Sequence, residues 1–401
     1  MAYDIIVVGG GMVGLTFAAA ISQQTSLSIA ILEAQKESHS WIEDQYHHRV
    51  SAIALSSQRI FQALHVWNDI KHKRVSPFSK IQVWDTAGKS NIEFNSNDIA
   101  EPWLGWIIEN SAIQTSLEEK IKKNPRIEWV SSIKLSAFQE DENGVALTSE
   151  NGQIFKAKLV IAADGAQSWL RQAAGIEVNV HDYEQEAIVA TVATALPHQQ
   201  TARQCFRDTG PLAFLPLLDM NTSSIVWTLP VDEAVRLMQL DDKGFCDALA
   251  NTFDQCLGEV LTIGKRYTFP LRKQHAECYV KSRVVLIGDA AHTIHPLAGQ
   301  GVNMGLLDAA SLSEMIAEAV QCGRDFASAA TLRRYERWRK ADNLTMLAGV
   351  DAIKNLFASD KTSVQTIRSA GVAFTNQFSW LKNIFIRHAV GNRNGLPKMA
   401  R

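Results

Sequence analysis

Tyr3-Asp4-Ile5-Ile6-Val7-Val8-Gly9-Gly10-Gly11-Met12-Val13-Gly14 is the stretch on which the fold turns. Tyr3 to Val8 is apolar and rich in β-branched residues, the pattern of a strand buried on both faces. The glycine cluster follows at once. Leu15 to Gln23, rich in alanine, then reads as a helix, and Leu27 to Leu32 as a second buried strand ending at Glu33. Strand, glycine turn, helix and strand make one βαβ unit with a right-handed crossover. In Gly9-x-Gly11-x-x-Gly14 the missing side chains let the backbone turn sharply and approach a pyrophosphate. The helix start offers that anion free N–H groups and a positive dipole, with the amides of Met12 and Val13 nearest. Glu33 is placed to accept hydrogen bonds from the hydroxyls of an adenosine ribose. An ADP-containing ligand follows; the fingerprint alone does not separate FAD from NAD.

Two further motifs follow strand-like runs. Lys158 to Ala163 leads into Asp164-Gly165-x-x-Ser168-x-x-Arg171. By itself this is an Asp-Gly turn with Ser168 as a helix cap; Arg171 adds a cation with a use beside a pyrophosphate. Arg283 to Ile287 leads into Gly288-Asp289-Ala290-Ala291-His292-x-x-His295-Pro296-x-x-Gly299-Gln300-Gly301-Val302-Asn303-x-Gly305. Asp289 at a strand end is placed to bind sugar-like hydroxyls. Pro296 and the glycines shape a tight loop, and a helix from Val302 to Val320 turns its positive end toward whatever lies there.

Elsewhere the pattern is coarser. Ser51 to His65 is expected to be helical, Pro77 to Ile108 strand-like, Ser111 to Lys123 helical and Ile127 to Ile154 a meander. Ala187 to Leu271 reads as an antiparallel sheet with one helix near Asp242 to Leu257, and Ala330 to Phe357 as a long helix. The predicted class is α/β: a discontinuous Rossmann-like domain over 1–75, 109–175 and 278–330. An inserted antiparallel-sheet domain takes 76–108 and 176–277, and C-terminal helices take 331–401.

The bulk numbers narrow the function classes. The chain has 401 residues, 46% of them hydrophobic, with a net charge of −2, so no basic field points to nucleic acid. Five cysteines with no CxxC suggest neither a disulfide framework nor a zinc site, and fit a reducing, cytoplasmic setting. A signal peptide is not expected from the first residues, nor a membrane-spanning helix from any apolar run. No metal site is expected. His292 and His295 lack a carboxylate cluster, and His292 reads as a local hydrogen-bonding residue.

The three motifs, in this order, resemble the class A flavoprotein monooxygenases, the FAD-dependent aromatic hydroxylases, and the likeness extends over essentially the whole chain. The resemblance assigns Gly9, Gly11, Met12, Val13, Gly14 and Glu33 to the ADP half of FAD. It adds Asp164, Gly165 and Arg171, then Gly288, Asp289, Pro296, Gly299, Gln300, Gly301, Val302 and Asn303. His48-Arg49-Val50-Ser51-Ala52 fits a further family position, with Arg49 approaching the flavin or its ribityl chain. NAD(P)H is then a transient co-substrate without a Rossmann domain of its own. Reduced by it, the flavin activates O₂ for transfer to an electron-rich ring. No side chain is assigned as a catalytic acid or base; the backbone N–H groups of Gly301 and Val302 are expected beside the flavin ring.

Within that family, His295 to Gly305, Trp106-Ile107-Ile108-Glu109-Asn110 and Arg334-Tyr335-Glu336-Arg337 to Ala341-Asp342-Asn343 are similar to the ubiquinone-biosynthesis hydroxylases, and the sequence around Pro77–Gln114 and Pro296–Ala309 resembles those acting late on the ring. That resemblance implies a lipid-tailed aromatic substrate and a biosynthetic complex as partner. A same-fold flavin reductase and a hydroxylase of small aromatics remain alternatives. The inserted domain is the natural lid, with Phe206, Phe214, Pro216, Trp227 and Phe269 as candidates to line the cavity, each against ordinary core packing. Phe374, Phe378, Leu381 and Phe385 with nearby Lys382 and Arg387 read either as a helix packed on the protein or as a basic amphipathic helix. The second form would meet the inner face of the membrane peripherally.

Overall fold

The computed structural model describes residues 2–36, 41–85, 90–142, 144–294, 300–358, 391 and 394–401. A parallel run, in spatial order Val284–Leu286, Ile154–Ala162, Ala2–Val8, Ile29–Leu32 and Ile127–Val130, forms the heart of the first sheet. Ile5, Ile6, Ile31, Val160 and Ile161 are fully buried, as a parallel sheet with both faces covered requires. The helix Met12–Gln24 packs against both Asn110–Lys122 and Gln300–Gln321. Val8, Ala162 and Leu286 stand in register across three adjacent strands. The loops carrying the three sequence motifs therefore leave the same edge of the sheet side by side, although some 270 residues separate the first from the last.

The second sheet has nine strands. Its long strand Val178–Thr194 pairs antiparallel with Thr222–Pro230 and with Tyr267–Ala276. Lys80–Asp85 and Ser90–Asn95 extend its far edge. The near edge is His292–Thr293, so the segment just after Gly288-Asp289 ties one sheet to the other. A third sheet of three strands joins Val50–Ala54, Gly105–Glu109 and Val75–Phe78.

Three local expectations are corrected. Ser51 to His65 is not one helix: Val50–Ala54 is a strand and the helix is Leu55–Ala63. Pairing with Gly105–Glu109 overrides the helical pattern there. Ile127 to Ile154 is not a continuous meander, because Ile127–Val130 pairs in parallel with Ile29–Leu32 and only Leu135–Asp141 and Gly144–Ser149 form a hairpin. A short buried apolar run reads alike in either pairing. The helix expected near Asp242 ends at Thr252, and a second helix, Val231–Met238, precedes it with Asp232 and Glu233 in its first turn, where carboxylates favour the dipole.

Those two helices cover one face of the nine-stranded sheet. Leu212, Phe214, Ile225 and Trp227 meet Phe245, Leu249 and Phe253 there in a closed core. Phe214 stacks on Phe253 at 4.0 Å between ring centroids, and Trp227 meets Phe245 edge-on at 5.7 Å. Phe214 and Trp227 are therefore core, and Pro216, two residues on from Phe214, shares that face. Phe206 and Phe269 point to the opposite one.

Candidate functional site

The three motif loops touch one another through glycine. A Cβ on Gly9 would lie 2.4 Å from the Ala163 carbonyl oxygen and 2.8 Å from the Asp164 nitrogen; its φ of +106° also favours glycine. A Cβ on Gly305 would lie 2.7 Å from Cγ2 of Val13 and 3.1 Å from Cα of Gly288. The first loop thus meets the second at Gly9 and the third at Val13.

Gly11 and Gly301 are different. Among the described residues, and leaving aside chain neighbours and each helix's own backbone, a Cβ on either would meet no atom within 4 Å. No described neighbour requires glycine at these two helix starts, whereas a ligand lying against the backbone would. Gly11 is also the N-cap of its helix and supplies no side-chain hydrogen bond to it, so the first-turn amides are left for another acceptor. Asp289 is exposed to solvent, yet burial pushes its carboxyl above the ordinary value, with His292 and Arg49 acting the other way. Both observations hold for a carboxylate in a recess, where water reaches it while protein surrounds it. Asp164 accepts from the Leu170 amide through Oδ2 at 3.1 Å, leaving its buried Oδ1 without a partner among the described residues. The open backbone, the free start of the helix Met12–Gln24 and the two recessed carboxylates fit an elongated ligand carrying phosphate at one point and hydroxyls at others.

Other sequence candidates serve the frame of the site. Glu33 accepts the Gly10 amide at 2.7 Å and the Gln35 amide at 2.8 Å; it braces the glycine loop and retains lone pairs for a ligand. Arg171 is buried and donates to the carbonyls of Ala290 and Ala166, both at 3.0 Å, so it fastens the second loop to the third. Asn303 accepts from the Ala54 amide and the Ser57 hydroxyl and donates to the Ala52 carbonyl. It joins the helix Gln300–Gln321 to the three-stranded sheet. Gly165 has φ +81° and open space at its Cβ position. Val302 lies in the first turn of its helix. Pro296 and Gly299 lie outside the described residues, as does the side chain of Gln300.

Arg49 lies close enough to Asp289 for its charge to oppose the upward push of burial on that carboxyl. Its guanidinium lies over the Phe269 ring, 5.7 Å from the centroid, which brings the Arg49 loop against the nine-stranded sheet. Sequence reasoning missed what holds that loop. Arg74 forms a two-pronged pair with Glu109, at 2.9 and 3.1 Å, and also donates to the carbonyls of Ile42, Glu43 and Gln45. Glu109 accepts the His47 amide at 2.6 Å, and the Asn110 amide donates to the Arg49 carbonyl at 3.0 Å. The run Trp106 to Asn110, noted only as a resemblance, is the anchor of the Arg49 loop. Gln114, also missed, donates to the Gly10 carbonyl at 3.1 Å.

Comparison with known proteins agrees with this geometry. Residues 2–347 match the model of the FAD binding domain family. The ubiquinone hydroxylase UbiL of Rhodospirillum rubrum is 35% identical, over 97% of this chain and 89% of its own. The 3-demethoxyubiquinol 3-hydroxylase of Escherichia coli is 32% identical, over 97% and 98%. The solved structure of pqsL, a probable FAD-dependent monooxygenase from Pseudomonas aeruginosa, superposes with a TM-score of 0.78 over 94% of this chain and all of that one, at 20% identity. The chain belongs to the FAD binding domain family, with ubiquinone-biosynthesis hydroxylases among its relatives.

Proposed function

We propose that this enzyme hydroxylates the ring of a polyprenylated phenol or benzoquinol in ubiquinone biosynthesis, using FAD, NAD(P)H and O₂. The observation that carries the reading is the convergence of three loops, from three adjacent parallel strands, on one recess lined by the free start of the helix Met12–Gln24 and by Asp289. The relatives' names supply the substrate class. When bound, the flavin supplies electron transfer from the nicotinamide and activation of O₂.

The chain's own residues bind, orient and exclude water. The amides of Met12 and Val13 hold the pyrophosphate, and Glu33 accepts from the adenosine ribose while still bracing Gly10. Asp289 takes ribityl hydroxyls, and Arg49 balances negative charge across the recess. The Gly301 and Val302 amides, at the positive end of a helix, favour negative charge on the ring system.

The nine-stranded sheet is the lid. On its face away from the two covering helices, Ala187, Val189, Ala213 and Val226 share the register positions beside Tyr267 and Phe269. Small residues flanked by two aromatic rings suit a planar ring that must be kept dry. A lipid-tailed substrate goes with peripheral contact at the inner face of the membrane and with a biosynthetic complex. Among the described residues no helix is long and apolar enough to cross a membrane; residues 374–385, the segment for such contact, lie outside them.

The test is the quinone profile of cells lacking the gene, grown in air and read by mass spectrometry. A prenylated intermediate short of one ring oxygen is expected, and it names the ring carbon. An unchanged profile, with no paralogue compensating, moves the substrate to smaller aromatics.

A further inference from the structure

Behind the recess lies a buried ionic cluster that the reading above does not use. Asp308, in the helix Gln300–Gln321, is fully buried, and His292, Arg339 and Asn343 are each 1% exposed. An ionised carboxylate has about four acceptor positions, and Asp308 fills them in two pairs. Oδ2 accepts the Gly288 amide at 3.1 Å and His292 Nε2–H at 2.5 Å. Oδ1 accepts Arg339 Nε–H at 2.8 Å and Asn343 Nδ2–H at 3.1 Å. One oxygen thus faces the loop that carries Asp289, and the other faces the long helix Ala329–Ala358.

That helix grips the same region at further points. Glu336 accepts the Tyr279 amide at 2.7 Å, and Tyr335 donates to the Leu286 carbonyl at 2.9 Å, two residues before Gly288. Asn343 also donates to the Tyr279 hydroxyl at 3.3 Å, and Arg339 pairs with Asp342 at 2.5 Å. The run from Arg334 to Asn343, which resembled the hydroxylases with no role attached, is thereby a clamp on the Gly288-Asp289 loop.

We infer that Asp308 is a positioning residue for the flavin: it fixes the Gly288 amide and the His292 ring, and so sets where the Asp289 carboxylate stands, with the long helix as its anchor. Surface carboxylates make poor anchors because water competes for them. This one is dry, and its donors come from two stretches far apart in sequence, residues 288–292 and 339–343. The inference rests on the FAD reading.

The amide of Asp308→Asn must turn one N–H pair toward donors, so one of the two sides loses its partners. The comparison variant is Leu332→Ala, which opens a cavity at a fully buried position near the start of the same helix, outside the clamping run from Arg334 to Asn343. Apoprotein of each is titrated with FAD by flavin fluorescence, well below every melting temperature, and the visible absorption of the bound flavin is recorded. Asp308→Asn is expected to raise the FAD dissociation constant at least about tenfold and to alter the absorption band, with Leu332→Ala within about twofold of wild type. Equal losses in both variants, or wild-type affinity and spectrum in Asp308→Asn, overturn the inference. Wild-type protein that takes up no FAD would instead overturn the reading beneath it. Should Asp308→Asn not fold, Asn343→Ala removes one donor and keeps the Arg339 pair; an unchanged dissociation constant in that variant also overturns the inference, and a threefold rise supports it.

Discussion

Gly14 and Gly9 meet backbone to backbone: a Cβ on Gly14 would stand 2.2 Å from the Gly9 carbonyl oxygen. The helix Met12–Gln24 can come this close to the chain just after the strand Ala2–Val8 only because Gly14 has no side chain. Gly11, two residues from Gly9, has open space instead. The glycine fingerprint therefore combines positions the fold needs with one the ligand needs.

That division gives a paired prediction. Gly14→Ala forces backbone against backbone and should destabilise the apoprotein by about 1–3 kcal/mol. Gly11→Ala should leave apoprotein stability within about 0.5 kcal/mol of wild type. It should nevertheless raise the FAD dissociation constant at least about tenfold, which is about 1.4 kcal/mol. Melting curves of the apoproteins and FAD titrations separate the two; a Gly11→Ala protein that binds FAD normally would remove the ligand from that face.

Asp289 should trade stability for binding. Its carboxyl is raised above the ordinary 3.8, chiefly by burial, so the fold holds its proton more tightly than the unfolded chain does. Its contribution is therefore most favourable below 3.8 and is lost as pH rises through the folded value. At neutral pH, Asp289→Asn should melt higher than wild type as apoprotein, with the gain shrinking in acid, and should lose most of its FAD on gel filtration. Wild-type flavin content in Asp289→Asn or Asp289→Ala would sink the assigned role.

Asp308 should behave oppositely. Burial alone would raise its carboxyl, but His292 and Arg339 hold it down to about 2. A depressed folded value gives stability that is complete above the ordinary 3.8 and lost as pH falls through about 2. The gap in unfolding free energy between wild type and Asp308→Asn should be about 3–5 kcal/mol at pH 7, the usual cost of breaking a buried pair. Denaturant melts should show it narrowing between about pH 4 and pH 2; a gap independent of pH would mean that the charge is not what matters.

Glu109→Gln should loosen the Arg49 loop by weakening the Arg74 pair and the contact to the His47 amide. A loss of about 1–3 kcal/mol is expected, and hydrogen exchange should place it locally. The His47 amide should exchange faster while those of Val178–Thr194 do not change. Uniform acceleration across the chain would assign Glu109 to general stability alone.

Much of the fold was legible because parallel strands leave a plain trace: Ile5-Ile6-Val7-Val8 and Leu159-Val160-Ile161-Ala162 can be little else when both faces are buried. The motifs that follow such strands belong at their carboxyl ends, and hence at one edge of the sheet. Pairing partners were not legible, since Val50–Ala54 owes its strand form to Gly105–Glu109, some fifty residues away. Roles within the site were half legible. Arg171 and Asn303 stood in the right motifs, but their hydrogen bonds run to backbone carbonyls and amides that no local pattern names. Asp308 sits in an ordinary helical stretch, and only tertiary contact reveals its four donors.

The most direct test of the central claim is isotopic. FAD-loaded protein is given NADH or NADPH, a polyprenylated phenol and ¹⁸O₂, and the ring product is weighed. One ¹⁸O atom in the product for each nicotinamide oxidised is the predicted result. Nicotinamide oxidation in a folded, yellow protein with no ¹⁸O in any phenol or quinol offered would contradict the account and leave a flavin reductase of the same fold.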